Sequence, residues 1–198
     1  MPESSDPYTY PETDVLRNIP GIRDPRQLAA FEANTTAVRL IELDERPLAG
    51  QFDSAHLRAI QRYVFQDVYR WAGEFRTVNI AKGGQFFGAA AFIEPALHEG
   101  LRKLAGERFL LGLAPATFST RAGHYLGKIN AIHPFRDGNG RTQREFIREL
   151  ALQAGFQLDW SRVTREQMMA ASAESFRSGD SSVMAALIEQ SLVNRAGG

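Results

Sequence analysis

The chain of 198 residues contains no cysteine, which excludes disulfide bonds, thiolate metal sites and a cysteine nucleophile. It has no excess charge, because 23 Lys and Arg residues balance 23 Asp and Glu residues. Since proteins that bind nucleic acid through its phosphates usually carry a basic surplus, we expect no direct nucleic-acid partner. No apolar run approaches the roughly 18–20 residues of a membrane-spanning helix. Residues 1–14 lack a basic-then-apolar signal pattern, so we expect a cytoplasmic protein without membrane attachment.

Aromatic residues, in contrast, are plentiful: 13 Phe, 5 Tyr and 2 Trp within a hydrophobic content of 43%. Such a composition is typical of a globular protein with a buried core. The length suits one domain, and neither an internal repeat nor a linker divides the chain. We therefore predict a single domain over residues 1–198, with residues 1–14 as an extended N-terminal arm.

Helix signals recur along the chain. Asp24, Pro25 and Gln27 form the pattern of an N-cap, a first-position proline and a capping-box partner. The second predicted helix begins at Asp53 or Ser54 and carries an apolar stripe with steps of 3, 4, 4 and 3 residues, consisting of Leu57, Ile60, Val64, Val68 and Trp71. Further helices are predicted to begin at Pro95, Pro115, about Arg141, Thr164 and Ser181 or Ser182, with the one from Arg141 stopping at Gly155 and the last ending near Asn194.

Residues 75–92 have a different pattern. A short β-branched run, a Gly-Gly turn and an aromatic run predict a β-hairpin there. Because an isolated hairpin is marginal in water, it must lean on the helices or on a ligand. The predicted fold class is mainly α, with about seven to eight helices and one hairpin.

The segment whose residues most strongly indicate a functional site is His133–Arg144, with the sequence HPFRDGNGRTQR. Pro134 disfavours helix at His133, which places the histidine where a helix ends. Gly138, Asn139 and Gly140 all tolerate positive φ, so their N–H groups can point into one concavity that binds anions. The next helix begins immediately afterwards and adds further N–H donors, and Arg141 and Arg144 lie on one side of it. This pattern predicts a polyphosphate cradle.

Two further residues suggest what the cradle does. Asp137 is a hard oxygen ligand of the kind that suits Mg²⁺ beside phosphate oxygens. The unperturbed pKa of a histidine, ~6.5, suits His133 to act as a general base. A base, a metal carboxylate and a phosphate nest within nine residues indicate nucleotidyl or phosphoryl transfer.

Each piece also has a plain structural interpretation. A histidine at a helix end is commonly a cap or a packed side chain, and Gly-Asn-Gly is commonly a tight turn. Pairing of Glu145 with Arg141 and Arg148 would make the helix an ordinary solvated face. The occurrence of all these residues within one short segment favours a functional site over these plain interpretations. A P-loop is excluded because no GxxxxGK(S/T) occurs, and the four histidines show no HExxH pairing.

Residues 133–144 resemble the Fic-family motif HxFx(D/E)GN(G/K)RxxR and match it at every specified position. Residues 10–18, 52–60 and 67–76 also resemble the opening, the second helix and the flap entry of short bacterial Fic toxins. The resemblance implies a Fic fold and a protein adenylyltransferase. Such an enzyme moves AMP from ATP to a hydroxyl of a target protein and releases pyrophosphate.

The resemblance also implies a role for each motif residue. His133 would deprotonate the target hydroxyl, and Asp137 would hold Mg²⁺ between the phosphates. Gly138, Asn139 and Gly140 would cradle the inner phosphates, while Arg141 and Arg144 would hold the outer ones. The hairpin would be the flap that binds the target segment as an added strand. Lys82, Gly83 and the neighbouring aromatic residues are expected to line this slot beside the nucleotide, although Lys82 is equally typical of an exposed turn.

The family's inhibitory helix carries (S/T)xxxE(G/N), and no Ser or Thr here has Glu four positions later. The resemblance therefore implies inhibition in trans by a small helical antitoxin that inserts a Glu near Arg144. It also implies DNA gyrase or topoisomerase IV as possible targets. Gly140, where some relatives have Lys, favours AMP transfer. The alternatives are transfer of phosphate, UMP or phosphocholine by the same site, and a non-catalytic helical binding module.

Overall fold

The computed structural model describes residues 6–82 and 85–193. Side-chain caps begin three helices where the sequence predicts them. The Asp24 carboxylate accepts a hydrogen bond from the N–H of Gln27, 2.8 Å away, and Asp53 does the same for His56. Thr164 forms a complete capping box.

The described residues form seven α-helices, which agrees with the predicted fold class. They are α1 (Pro25–Glu45), α2 (Ser54–Phe65), α3 (Ile93–Gly106), α4 (Pro115–Ile132), α5 (Asn139–Gln153), α6 (Arg165–Ser178) and α7 (Ser182–Ser191). Short 3-10 turns cover Ala90–Phe92, Arg108–Leu110 and Trp160–Arg162. Among these residues, no helix is long and apolar enough to cross a membrane.

Helix α4 lies at the centre of the packing. One face of this helix is buried, at 2% exposure or less, and consists of Phe118, Ala122, Tyr125 and Ile129. Its opposite side meets α7 so closely that a Cβ on Gly123 would lie 2.8 Å from the Cα of Ala185. Helix α5 packs against both α2 and α4. This arrangement fixes the loop between α4 and α5, which contains the predicted site, against the core.

The second helix is shorter than predicted, because it ends at Phe65 rather than Trp71. Val68 is still fully buried, so its part of the apolar stripe faces the core without being helical. The carbonyl of Val68 accepts from the N–H of Ile19 at 2.8 Å, a bond that ties the N-terminal segment to this turn. Helix α3 begins at Ile93, two residues before Pro95, and α7 ends at Ser191.

Two small antiparallel sheets complete the fold. The predicted hairpin is confirmed but short, since β1 (Ala81–Lys82) pairs with β2 (Gln85–Phe86). The second sheet pairs β3 (Gln157–Leu158) with β4 (Leu192–Val193) near the C-terminus.

The described part of the N-terminal segment folds back on itself instead of running extended. An isolated bridge joins Thr9 to Leu16, and the Tyr8 ring packs edge-on against Trp71 at a centroid distance of 5.4 Å. The Tyr8 hydroxyl also accepts from the N–H of Thr77 at 3.1 Å. These contacts attach the segment to the start of the hairpin region.

Candidate active site

His133 caps α4 in the left-handed conformation, with φ 50° and ψ 63°. This conformation is uncommon for a residue other than glycine and is enriched at functional sites. Its N–H donates to the carbonyl of Ile129 at 2.9 Å, and its Nδ1 lies 3.3 Å from the carbonyl oxygen of Asn130. The imidazole stacks on the ring of Phe87, with centroids 3.8 Å apart. The backbone cap and this stack together orient the ring beside the main cavity.

A buried arginine joins the hairpin to this histidine. Arg76 is 2% exposed and pairs with no carboxylate among the described residues. Its guanidinium donates to the carbonyls of His133 at 2.8 Å, Val78 at 2.7 Å, Ile132 at 3.2 Å and also Gly88. Burial lowers the pKa of Arg76. Because two of these carbonyls lie at the C-terminal end of α4, where the helix dipole is negative, the cation is compensated without an acid.

The turn after His133 is held by the side chain of Asn139. Its Oδ1 accepts from the N–H of Phe135 at 2.9 Å, and its Nδ2 donates to the carbonyl of Phe135 at 2.7 Å. Asn139 is 3% exposed, so its amide closes the loop and only its backbone is placed to bind a ligand. Gly138 has φ +80°, and the Phe65 ring occupies the space where its Cβ would be, 2.2 Å away.

Helix α5 begins with backbone N–H groups that are available as hydrogen-bond donors. The N–H groups of Asn139, Gly140 and Arg141 have no hydrogen-bond partner within residues 6–82 and 85–193, as expected for a first helical turn. No side chain in the described part of the chain caps this end of the helix. The backbone donors of the predicted anion-binding nest therefore lie at a helix N-terminus.

Asp137 lies at the edge of this nest. Its carboxylate accepts from the N–H of Gly138 at 2.5 Å. Burial, followed by the negative charge of Glu32, raises the pKa of Asp137. A poorly solvated carboxylate of this kind gains from a divalent cation, so the donor chemistry fits Mg²⁺. The described residues contain no group of three or more His, Asp or Glu that could hold a metal without a ligand's help.

The two motif arginines have different surroundings. Arg141 donates to the carboxylate of Glu32 and, at 2.9 Å, to the hydroxyl of Thr36, while its guanidinium lies 4.7 Å from the centroid of the Phe65 ring. The Arg144 side chain has no hydrogen bond or ion pair with any residue in the described part of the chain. Burial and then the charge of Arg141 lower the pKa of Arg144. Arg144 is thus an unpaired, half-buried cation that faces the cavity.

The surface ion pairs that would have made α5 an ordinary solvated helix are only partly present. Glu145 pairs with Arg148 at 2.7 Å, but Glu145 is buried at 4% exposure. Arg141 pairs with α1 instead of with Glu145. The helix therefore presents its basic side to a cavity and not to bulk solvent.

The predicted site residues converge on one cavity of about 1900 Å³ between α1, α5 and α6. Its lining includes His133, Asp137, Gly138, Asn139, Gly140, Arg141 and Arg144. Gly83 and the side chain of Lys82 lie outside the described residues.

Sequence reasoning missed three residues that shape this site: Glu32, Phe65 and Arg76. Two of them looked like ordinary helix residues. Arg76 had one available signal, because it follows an aromatic residue inside a segment predicted to be extended and partly buried.

Residues 51–151 match the Fic/DOC family. The chain is 46% identical over 189 residues to the protein adenylyltransferase VbhT of Bartonella schoenbuchensis, covering 96% of this chain but 39% of VbhT. It therefore spans about two fifths of that relative. It is 39% identical to the probable protein adenylyltransferase Fic of Escherichia coli, covering 83% of this chain and 81% of that one.

Solved structures agree with these relatives. The Fic domain of a Bep effector from Bartonella quintana with bound ADP superimposes with a TM-score of 0.90 at 30% identity, covering 94% of both chains. BepC from Bartonella tribocorum with bound AMPPNP gives a TM-score of 0.89 at 27% identity, covering 94% of this chain and 96% of BepC. Together with the His133–Arg144 geometry, these matches show that the chain belongs to the Fic/DOC family.

Proposed function

We propose that this chain is a protein adenylyltransferase that transfers AMP from ATP to a hydroxyl side chain of a target protein. One observation carries the proposal: an oriented imidazole, a row of open backbone N–H groups and an unpaired arginine line the same cavity. The relatives named protein adenylyltransferase, and the similar structures with bound ADP and AMPPNP, support the same reaction.

In the proposed reaction, the target hydroxyl oxygen attacks the α-phosphorus of ATP. His133 takes the hydroxyl proton, so the oxygen attacks as a nucleophile. The bond between the α-phosphorus and the oxygen bridging to the β-phosphate breaks, and pyrophosphate leaves with the electron pair. The N–H groups of Asn139, Gly140 and Arg141 stabilise the inner phosphates, while the Arg141 and Arg144 guanidinium groups bind the outer ones.

Asp137 is the residue that would hold Mg²⁺. When bound, the ion would neutralise charge on the phosphate oxygens. The raised pKa of Asp137 supports this assignment, because burial penalises the carboxylate and a bound cation would offset that penalty.

The hairpin is the proposed docking place for the target. Its edge can accept an extended segment as an added strand, and we keep the sequence-based expectation that Lys82 and Gly83 line this slot. Arg76 ties the stem of this hairpin to the carbonyl of His133, which would place a docked hydroxyl at a set distance from the imidazole.

The test uses ATP labelled at either the α- or the γ-phosphate, with Mg²⁺ and bacterial lysate. We expect label on protein from the α-position only, and we expect His133→Ala to abolish it. His98→Ala is the matched control, because His98 is exposed on α3 and does not line the cavity. Label from the γ-position would instead indicate a kinase-like transfer. Absence of both labels, with known Fic targets supplied, would favour a binding module.

We further propose a toxin held inactive by a small helical antitoxin whose Glu pairs with Arg144. The support is that Arg144 has no carboxylate partner in the described part of the chain and that the sequence has no inhibitory (S/T)xxxE pattern. A carboxylate there would remove a phosphate partner and add like charge. If antitoxin candidates bound to Arg144 left AMP transfer unchanged, the regulatory proposal would fail while the enzymatic one stood.

Two narrower assignments complete the proposal. DNA gyrase and topoisomerase IV are the first targets to supply, on the strength of the family resemblance. We propose a cytoplasmic reaction, since ATP would be the co-substrate, with residues 1–198 acting as one catalytic domain.

A further inference from the structure

Glu32 uses both of its carboxylate oxygens inside the protein. Oε1 accepts from the guanidinium of Arg141 on α5, and Oε2 accepts from the hydroxyl of Tyr69. One turn further along α1, the hydroxyl of Thr36 accepts from the other terminal nitrogen of Arg141 at 2.9 Å. Thr36 is itself anchored, because its hydroxyl donates to the carbonyl of Glu32 at 2.7 Å.

Arg141 is consequently restrained on three sides. Glu32 and Thr36 each take one N–H from a different terminal nitrogen, and the Phe65 ring lies against the guanidinium plane. An arginine has five N–H donors, so three remain for a ligand. Holding a long side chain in place before binding removes part of the entropy loss that binding would otherwise impose.

Arg144 provides the contrast on the same helix. It has no side-chain partner among the described residues, so it must be ordered by whatever enters the cavity. Helix α1 therefore contacts one of the two motif arginines and leaves the other open.

We propose that Glu32 is a positioning residue for Arg141, which it holds in the orientation that binds the outer phosphates. This inference rests on the proposed function, since it assumes that an adenine nucleotide occupies the cavity. The alternative is that Glu32 competes with the nucleotide phosphates for Arg141 and so weakens nucleotide binding. The two arrangements predict opposite effects when the Glu32 charge is removed.

The first experiment measures the dissociation constants of ADP and ATP, each with Mg²⁺, by calorimetry on the full chain. We expect Glu32→Gln to weaken binding about tenfold, because a charge-assisted hydrogen bond becomes a neutral one and Arg141 gains freedom. Unchanged or tighter binding by Glu32→Gln would overturn the inference.

A double-mutant cycle separates positioning from a general structural effect. If Glu32 acts through Arg141, Glu32→Gln should weaken binding no further in an Arg141→Ala background. An equal loss in both backgrounds would overturn the inference. Tyr69→Phe removes only the second contact of Glu32, so we expect a smaller loss in the same direction, and this variant keeps the test available if Glu32→Gln folds poorly.

The chain offers a matched control on the same helix. Glu42 also accepts hydrogen bonds from an arginine and a tyrosine, namely Arg39 and Tyr63, each at 2.9 Å, but it does not line the cavity. Glu42→Gln should therefore leave nucleotide binding unchanged. If Glu42→Gln weakened binding as much as Glu32→Gln, positioning by Glu32 would be refuted. If the wild-type chain bound neither nucleotide, the proposed function itself would fail.

Discussion

Replacing Gly138 by alanine is expected to destabilise the fold and to weaken nucleotide binding. Gly138 has φ +80°, and an added Cβ would lie 2.2 Å from the Cζ of Phe65. The left-handed conformation costs a residue with a Cβ about 1–2 kcal/mol, and forcing an extra methyl into packed surroundings costs about 1–3 kcal/mol. The free energy of unfolding should thus fall by about 2–5 kcal/mol.

Gly140→Ala is the matched comparison two residues away. Its Cβ would lie 3.4 Å from Nη1 of Arg144, and the residue is already helical. Because alanine is favoured over glycine in a helix by about 1 kcal/mol, this variant should be as stable as the wild type or slightly more stable. Denaturant unfolding of both variants gives the two free energies directly.

Rescue by a smaller neighbour tests whether the Phe65 contact is the cause. In the double variant Gly138→Ala with Phe65→Leu, the combined loss of unfolding free energy should be smaller than the sum of the single losses. Equal stability of Gly138→Ala and Gly140→Ala, or strictly additive losses, would refute the reasoning. Nucleotide binding measured on folded protein should also fall in Gly138→Ala.

Four other changes have expected outcomes. Arg76→Lys should lower kcat for AMP transfer more than it raises the KM for ATP, because a single ammonium cannot reach four carbonyls; an equal effect on both constants would contradict this. Asp137→Asn should abolish Mg²⁺-dependent transfer. Because burial raises the pKa of Asp137, the folded state favours the protonated carboxyl. This contribution to folding stability is complete below the pKa of the unfolded state and is lost as the pH rises through the pKa of the folded state. Asp137→Asn should therefore also raise the unfolding temperature at pH 7. Phe87→Leu should lower kcat for AMP transfer by removing the stack that orients His133, and an unchanged kcat would argue against that contact. Arg144→Ala should weaken ATP binding and remove the effect of an antitoxin, which inhibition assays would check.

Local sequence signals predicted the helices and the motif loop well. Asp24, Asp53 and Thr164 cap helices because their side chains satisfy N–H groups three residues away, and no distant residue is needed for that. The open end of α5 follows in the same way from the Gly138 turn and the helix beginning at Asn139. Such features depend on neighbours within a few positions.

Features that depend on distant residues could not be predicted in this way. The contact between Glu32 and Arg141 spans 109 positions, and that between Arg76 and His133 spans 57. Similarly, α2 ends at Phe65 although the apolar stripe continues, and the Val68 carbonyl accepts from the N–H of Ile19 in the N-terminal segment. Periodicity identifies which side chains face the core, but it shows neither where a helix ends nor which distant residue its carbonyls contact.

The Arg76 guanidinium has a consequence for how this scaffold can diversify. Its bonds reach Val78 and Gly88 and so hold both ends of the hairpin region, while Phe87 within that region stacks on His133. Substitutions in the hairpin region that spare Phe87 can alter which polypeptide is recognised while the end of α4 keeps its place. Target selectivity and AMP transfer would then evolve independently, because the buried Arg76 guanidinium holds the hairpin ends and the end of α4 in place.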